Sequence, residues 1–291
     1  MRKTILLATV FCAMASFAQA QYAEPVYSPR PMYAQPVYRQ PIPHETYRPV
    51  DGTGSTQYGS APKYRAANPM YQLGAGRFMS DTRADYIVQP KDKDAGTEKV
   101  TGWDAVQQFS YGLTDRLSLS LQAFYLDLKG KDSKDRSKNY GVSLDMRYHL
   151  VRTDFFDMKM GIEGNIYKWE EKPKGMKKDD VRYSYVAPYI MLGAKVENVT
   201  PYIQMSYVSS LWSEEDAGNY YIVRPGIYID VNRYLGFDIH LQNAENLYTD
   251  YVASADFYVS QNVVISLQGR LEAPKDDVDE YRVGANLKFV F

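Results

Sequence analysis

The sequence predicts an all-β chain that closes into a transmembrane antiparallel up-and-down β-barrel of about twelve strands, behind a disordered N-terminal tail rich in proline and tyrosine. Three observations carry this. From about residue 69 onward, apolar and polar side chains alternate in one segment after another; the breaks between segments are alternately short and long; and the alternation runs to the end of the chain. In the last stretch Tyr281, Val283, Ala285, Leu287, Phe289 and Phe291 alternate with Arg282, Gly284, Asn286, Lys288 and Val290, which is a strand and not a helix. A soluble protein seldom leaves a long two-sided edge strand unpaired, because such an edge templates aggregation, whereas a closed barrel has no edge. About ten residues suffice for a strand to cross hydrocarbon.

The terminal strand, with Tyr281, Leu287, Phe289 and Phe291 on its apolar side, resembles the assembly signal of bacterial outer-membrane β-barrels. The stretch Tyr111 to Tyr125, YGLTDRLSLSLQAFY, resembles the strand, tight turn, strand units of porin-like proteins. The resemblance covers architecture along most of the chain and carries no catalytic or ligand residues with it. It implies an outer-membrane location, recognition by the barrel-assembly machinery, and contact with outer-membrane lipid and lipopolysaccharide.

At the start, Arg2 and Lys3 precede an apolar run from Thr4 to Phe17, and Ala18-Gln19-Ala20 offers a small-x-small cleavage site. Residues 1–20 therefore read as a secretory signal peptide, cut before Gln21. The run is shorter than the roughly 18 apolar residues of a spanning helix. The single cysteine, Cys12, lies inside it, so the mature chain has no disulfide framework, no thiolate metal site and no cysteine nucleophile. Lys+Arg 34 against Asp+Glu 35 gives a net charge of -1, which makes no case for nucleic acid. A mean hydropathy of -0.46 excludes a helical membrane protein but not a barrel, whose strands are only half apolar. The 27 Tyr and 11 Phe suit aromatic girdles at the two membrane interfaces.

Residues 21–68 shift in composition: Pro25, Pro29, Pro31, Pro36, Pro41, Pro43, Pro49 and Pro62 interleave with seven tyrosines in a loose EPVYS, RPMYA, QPVYR repeat. So few aliphatic residues cannot bury a core, and the stretch reads as an extended periplasmic tail. Docking of its Pro-Tyr units on a periplasmic partner, or folding into the barrel as a plug, both stay open.

The barrel is assigned to residues 69–291. The first strand is placed at Tyr71, Leu73 and Ala75, with Ser80 to Val100 as a polar loop. Strands two and three flank the turn Leu113 to Arg116; a charged loop, Lys129 to Lys138, precedes strand four at Tyr140 to Leu150. Strand five runs from Phe156 to Ile166, before a second charged loop, Glu170 to Asp180. Strands six to eleven fall at about Val181 to Ala194, Val199 to Ser209, Asn219 to Asp230, Tyr234 to Asn243, Tyr251 to Ser260 and Val263 to Leu271. Pro188, Pro201 and Pro225 lie within strands six, seven and eight, where a missing ladder donor is costly. An even strand number with short turns at one end puts both barrel termini in the periplasm.

The polar faces define the lumen. Its expected charges include Asp104, Asp145, Asp157, Glu163, Asp230, Asp238, Asp256 and Glu272, against Arg147, Lys159, Arg182, Arg224, Arg270, Arg282 and Lys288, with His240 beside Asp238. Both signs in near-equal number predict weak ion selectivity. The same charges could instead pair across the lumen and fill it. Asp238 and His240 on one strand face, with Asp92 and Asp94 in the first loop, are superficially similar to the site of the omptin proteases. Asp238 sits too low in the barrel for that, and omptins have ten strands; no enzyme is expected. Lys129, Lys131, Lys134, Lys174, Lys177 and Lys178 could contact lipopolysaccharide but read first as solvated loop residues. Asp132, Asp135, Asp179 and Asp276 lack the spacing of a calcium loop, so neither a metal nor a cofactor is expected. The resulting expectation is a porin-like passive channel for small hydrophilic solutes. The alternative is a non-conducting structural or surface-interaction barrel that anchors the envelope through its tail.

Overall fold

The computed structural model describes residues 63–91, 98–132, 135–172, 179–213, 219–245, 247–275 and 278–291. The expected signal peptide and the expected tail up to Pro62 lie outside them. Twelve antiparallel strands form one closed sheet: β1 (Phe78–Gln89), β2 (Val100–Gly112), β3 (Leu117–Gly130), β4 (Arg136–Arg152), β5 (Phe156–Lys172), β6 (Asp179–Ala194), β7 (Val199–Ser213), β8 (Tyr220–Asn232), β9 (Leu235–Ala244), β10 (Tyr248–Ser260), β11 (Val263–Pro274) and β12 (Glu280–Val290). Each strand pairs with its sequence neighbours, and β1 closes on β12 from Met79↔Val290 to Val88↔Tyr281. Phe291 extends the seam by exchanging backbone hydrogen bonds with Phe78 at 2.7 and 3.1 Å.

Strands two to twelve stand where the alternation predicts them; the first does not. Tyr71 to Ala75 is not strand; the first strand starts at Phe78 and runs mostly within the Ser80 to Val100 stretch expected to be loop. The outward positions of β1 hold Phe78, Tyr86 and Val88 at its ends but Ser80, Thr82 and Ala84 in the middle, and the inward ones include Asp81, Arg83 and Asp85, so the apolar alternation is interrupted at its centre. Backbone pairing on both sides, to β12 and β2, makes it a strand. The two charged stretches expected as loops have strand at both ends, at 129–130 and 136–138 in the first and at 170–172 and 179–180 in the second. Arg136 binds the Asp127 carboxylate across β3–β4, with a 2.7 Å bond from Nε, and the Tyr140 hydroxyl donates to Glu170 at 2.9 Å across β4–β5. Period two is illegible there because both faces are wet.

Strands six, seven and eight persist despite their prolines. The β6–β7 ladder skips Ala187 and Pro188, and the β8–β9 ladder skips Arg224 and Pro225, so these missing donors fall at gaps in the pairing.

The barrel is inside-out relative to a soluble protein. Outward on β4 stand Tyr140, Val142, Leu144, Met146 and Tyr148, all exposed, while inward stand Ser143, Asp145, Arg147 and His149, of which Ser143 and His149 are buried. Eight residues separate Tyr140 from Tyr148, a rise of about 26 Å along the strand and about 20 Å normal to a membrane once tilted. Ile166 is 65 % exposed and Val283 69 %, whereas the inward Asp157 and Lys159 are fully buried. An apolar wall continuous around the barrel far exceeds the patches that water-soluble proteins tolerate, and hydrocarbon is the solvent it fits. Aromatic clusters edge it: Phe78 stacks on Phe109 at 5.8 Å near the short turns, and Tyr86 meets Trp103 at 4.9 Å toward the opposite end.

Candidate functional site

Residues 63–77, just before β1, occupy the lumen at the short-turn end. Here lie the two buried apolar clusters: Ala66 and Leu73 against Tyr258, Val264 and Val290, and Tyr64 and Met70 against Met191 and Tyr202. A turn at Asn68-Pro69 shapes the segment. The Asn68 Oδ1 accepts the Met70 amide at 2.8 Å, and its Nδ2 donates to Thr200 Oγ1 at 3.0 Å.

The anchors reach all five short turns. Lys63 Nζ donates to the Thr153 carbonyl at 2.7 Å and pairs with Asp157, which also accepts from the Tyr64 hydroxyl and lies 2.9 Å from His149 Nε2. Lys195 Nζ binds the Lys63 carbonyl. Arg65 donates to the carbonyls of Asn232 at 2.6 Å and Arg233 at 2.7 Å, pairs with Asp230 at 3.1 Å, and lies 3.2 Å from the centre of the Tyr258 ring. The Ala75 amide donates to Asp115 at 3.1 Å, and Arg77 reaches the Asn262 side chain at 3.3 Å. From the wall, Lys159 donates to the Tyr71 carbonyl at 2.7 Å and Lys288 to that of Ala66 at 3.3 Å. Burial pushes the phenols of Tyr64 and Tyr71 above the ordinary tyrosine range, and the bond to Asp157 adds to this at Tyr64.

Two wall glycines make room. A Cβ on Gly112 would lie 1.9 Å from the Gly74 carbonyl oxygen, and one on Gly193 2.7 to 2.9 Å from the Met70 side chain. The first strand expected at Tyr71 to Ala75 and the end of the expected tail, residues 63–68, are thus one plug.

Above the plug, most of the expected pore-lining residues face inward in paired groups. Arg147 donates to the Tyr189 hydroxyl at 3.0 Å, which donates to Asp145 at 2.8 Å. Glu163 accepts from Tyr185 at 3.3 Å, and Arg224 donates to Gln242 at 2.9 Å. Asp238 accepts from Tyr202 at 2.8 Å and lies 2.9 Å from His240 Nδ1, while Asp256 is buried opposite Ser266. Arg270 and Arg282 stand directly opposite each other on β11 and β12, and like charges so placed would repel. Carboxylates surround them: Asp250 and Glu272 lie 2.6 and 2.9 Å from Arg270, and Asp104 and Glu272 each 3.3 Å from Arg282.

Arg182 is the exception. It pairs with Lys168 across β5–β6, on the outward parity of Met160, Ile162 and Ile166, and is exposed. Assigning it to the lumen fails because Tyr183, Tyr185 and Tyr189 hold the inward positions of β6. This corrects a second expectation as well, since many tyrosines assigned to girdles line the lumen. The sequence signal was glycine on the neighbouring strand: Gly161 lies opposite Tyr189 and Gly226 opposite Tyr202, each with the ring over the space a Cβ would fill. Asp81, Arg83 and Asp85 were missed with β1, and Asp250 because the tenth strand was expected to start at Tyr251, whereas it starts at Tyr248. Among the described residues no cluster of His, Cys, Asp or Glu is arranged to hold a metal. Asp92 and Asp94 lie outside them, as do Lys134, Lys174, Lys177 and Lys178.

Of the side chains expected as an assembly signal, Tyr281, Leu287 and Phe291 are exposed on the outer wall, and Phe289 stacks on Phe291 at 6.2 Å.

No protein-family model and no curated protein matches this sequence. Solved structures do match. The COG4313 outer membrane channel from Pseudomonas putida F1 superposes with a TM-score of 0.56 at 14% identity, covering 77% of this chain and 99% of that one. The transport unit of the autotransporter AIDA-I from Escherichia coli gives 0.51 at 11% identity, covering 74% and 90%. At these identities the likeness is one of architecture, and the fold of this chain is that of the bacterial outer-membrane β-barrels.

Proposed function

We propose that the chain is an outer-membrane channel for passive passage of small hydrophilic solutes, with weak ion selectivity and a gate at its periplasmic end. The observation that carries this is a polar inner wall bearing both charge signs inside an apolar outer wall. Pairing such as Arg270 with Asp250 leaves little net charge to select ions. On this reading both termini are periplasmic, the barrel-assembly machinery engages the strand ending at Phe291, and Lys129 and Lys131 face lipopolysaccharide. The Pro/Tyr tail preceding the plug is then placed to meet a periplasmic partner. Recording in planar bilayers tests it: discrete conductance steps with a reversal potential near zero in a salt gradient are expected, and strong cation or anion preference would refute it.

The plug favours a second reading, a non-conducting structural or surface-interaction barrel that anchors the envelope through its tail. Met70 is fully buried and Asn68 nearly so, which is tight packing for a segment that must move. A correctly folded barrel that stays silent even after the plug is loosened would select this reading.

A further inference from the structure

Most lumen tyrosines lie flat over glycines or join charged networks, and need no ligand. One row differs. Phe124, Gly141, Tyr167 and Tyr183 are direct partners across β3, β4, β5 and β6, so their side-chain positions form one row that climbs the inner wall diagonally with the strand tilt. A Cβ on Gly141 would lie 2.4 Å from the Ile166 carbonyl oxygen and 2.6 Å from the Tyr167 Cβ, and its absence lets the flanking rings approach. The centroids of Phe124 and Tyr167 are 6.4 Å apart, and those of Tyr167 and Tyr183 are 5.0 Å apart and stacked at 17°. These rings line a recess of about 640 Å³, within the range of small-ligand sites.

Asn139 and Asn165 flank the row and line the same recess. The Oδ1 of each is buried and accepts no hydrogen bond, and Asn165 is only 9 % exposed. Buried acceptors without donors are costly, and two at one cavity ask for a ligand that brings donors. Among the described residues the lining has no lysine or arginine. Of its two carboxylates, Asp180 is paired with Lys168, while Glu171 accepts only the neutral Trp169 indole N–H at 3.0 Å, so a cation is the competing ligand that the test must separate.

We infer that this row is a binding site for a neutral saccharide chain, whose sugar faces lie on the rings while their hydroxyls donate to Asn139 and Asn165. An apolar sugar face edged by hydroxyl donors matches an aromatic cluster edged by carbonyl acceptors, in which Tyr167 and Tyr183 stack on each other and Phe124 is tilted 55° to Tyr167. The inference deepens the channel reading by naming a solute class, but binding tests it independently of conductance.

The test is calorimetric titration of the full chain in lipid nanodiscs with maltotriose, cellotriose and mannotriose, with trigalacturonate and choline as charged probes. At least one neutral trisaccharide is expected to bind with Kd of about 1 mM or tighter. Tyr167→Ala and Asn165→Leu are expected to weaken it about tenfold or more, equivalent to about 1.4 kcal/mol, and Tyr167→Phe to leave it within about twofold. Heat-modifiable gel mobility checks that each variant is folded. Absence of saturable binding by all three neutral sugars at about 10 mM, binding indifferent to the folded variants, or preferential binding of trigalacturonate or choline would overturn the inference. A barrel that is silent in bilayers yet binds sugar would sink the channel reading alone; one that conducts and ignores sugar would sink this one alone.

Discussion

Replacing Arg65 with alanine removes the anchor that ties the plug to the turn between β8 and β9. Its guanidinium makes two short bonds to carbonyls, at 2.6 and 2.7 Å, and packs 3.2 Å from the Tyr258 ring centre. Hydrogen bonds from a charged donor contribute about 1.5–3 kcal/mol when well made, and a cation over an aromatic ring about 1–2 kcal/mol. The pairing with Asp230 contributes less than about 1 kcal/mol, because the Arg65 side chain is 28% exposed and water screens it. These terms overlap, and partial exposure weakens each, so about 3 kcal/mol is the working figure for loss of docking. That is roughly a hundredfold shift between docked and undocked plug. Single-channel recording reads it as a rise in open fraction, with the barrel itself intact by gel mobility. Arg65→Lys should fall between the two, since lysine keeps the charge but lacks the planar fork. An Arg65→Ala channel whose open fraction stays within about twofold of the parent would refute the assignment of this segment as the gate.

Other perturbations read different contacts. Gly193→Val should loosen the plug, because its Cβ would lie 2.7 Å from Met70 Cγ, and Met70→Ala in the same chain should restore much of the docking; independent effects in the double variant would argue against the contact. Arg282→Gln leaves Asp104, Glu272 and Glu280 short of a partner and should move the reversal potential toward cation preference, an unchanged potential placing these groups outside the conducting path. Raising pH should release the plug: Tyr64 and Tyr71 carry values raised by burial, so their contribution to docking is complete below the ordinary value of 10.0 and is lost as pH climbs above it. A rise in open fraction beginning near pH 10 is expected, and one centred below neutrality would point to other groups.

Much of this architecture was legible because one face of each strand meets hydrocarbon. On β4 the run Tyr140, Val142, Leu144, Met146, Tyr148 has no other physical reason to alternate with Ser143, Asp145 and Arg147. Legibility failed where that contrast is absent. Ser80, Thr82 and Ala84 interrupt the apolar outer face of β1 between Phe78 and Tyr86, and its identity comes from pairing at the seam with β12, far away in sequence. The lumen charges were readable from strand parity, but their partners were not, because Arg282 to Asp104 spans 178 residues and closes only when the barrel does. The plug was hidden for a different reason. Tyr71, Leu73 and Ala75 alternate with Gln72, Gly74 and Gly76 and so read as a strand, while the burial of the segment depends on Asp157, Asp230 and Lys288, which the chain supplies later. Even so, the spare glycines at Gly112 and Gly193 marked places where something presses on the wall.

The most direct test of an apolar outer wall around a wet lumen is a cysteine scan along β4 in a Cys12→Ser background, which has no other thiol. Each position from Val142 to Arg147 is replaced singly and exposed, in liposomes, to a membrane-impermeant thiol reagent and to lipids carrying a nitroxide quencher beside a labelled thiol. Positions 142, 144 and 146 should be quenched by lipid and shielded from the aqueous reagent, with 143, 145 and 147 showing the reverse. Uniform aqueous labelling along the strand, or protection repeating every three to four residues, would contradict the barrel.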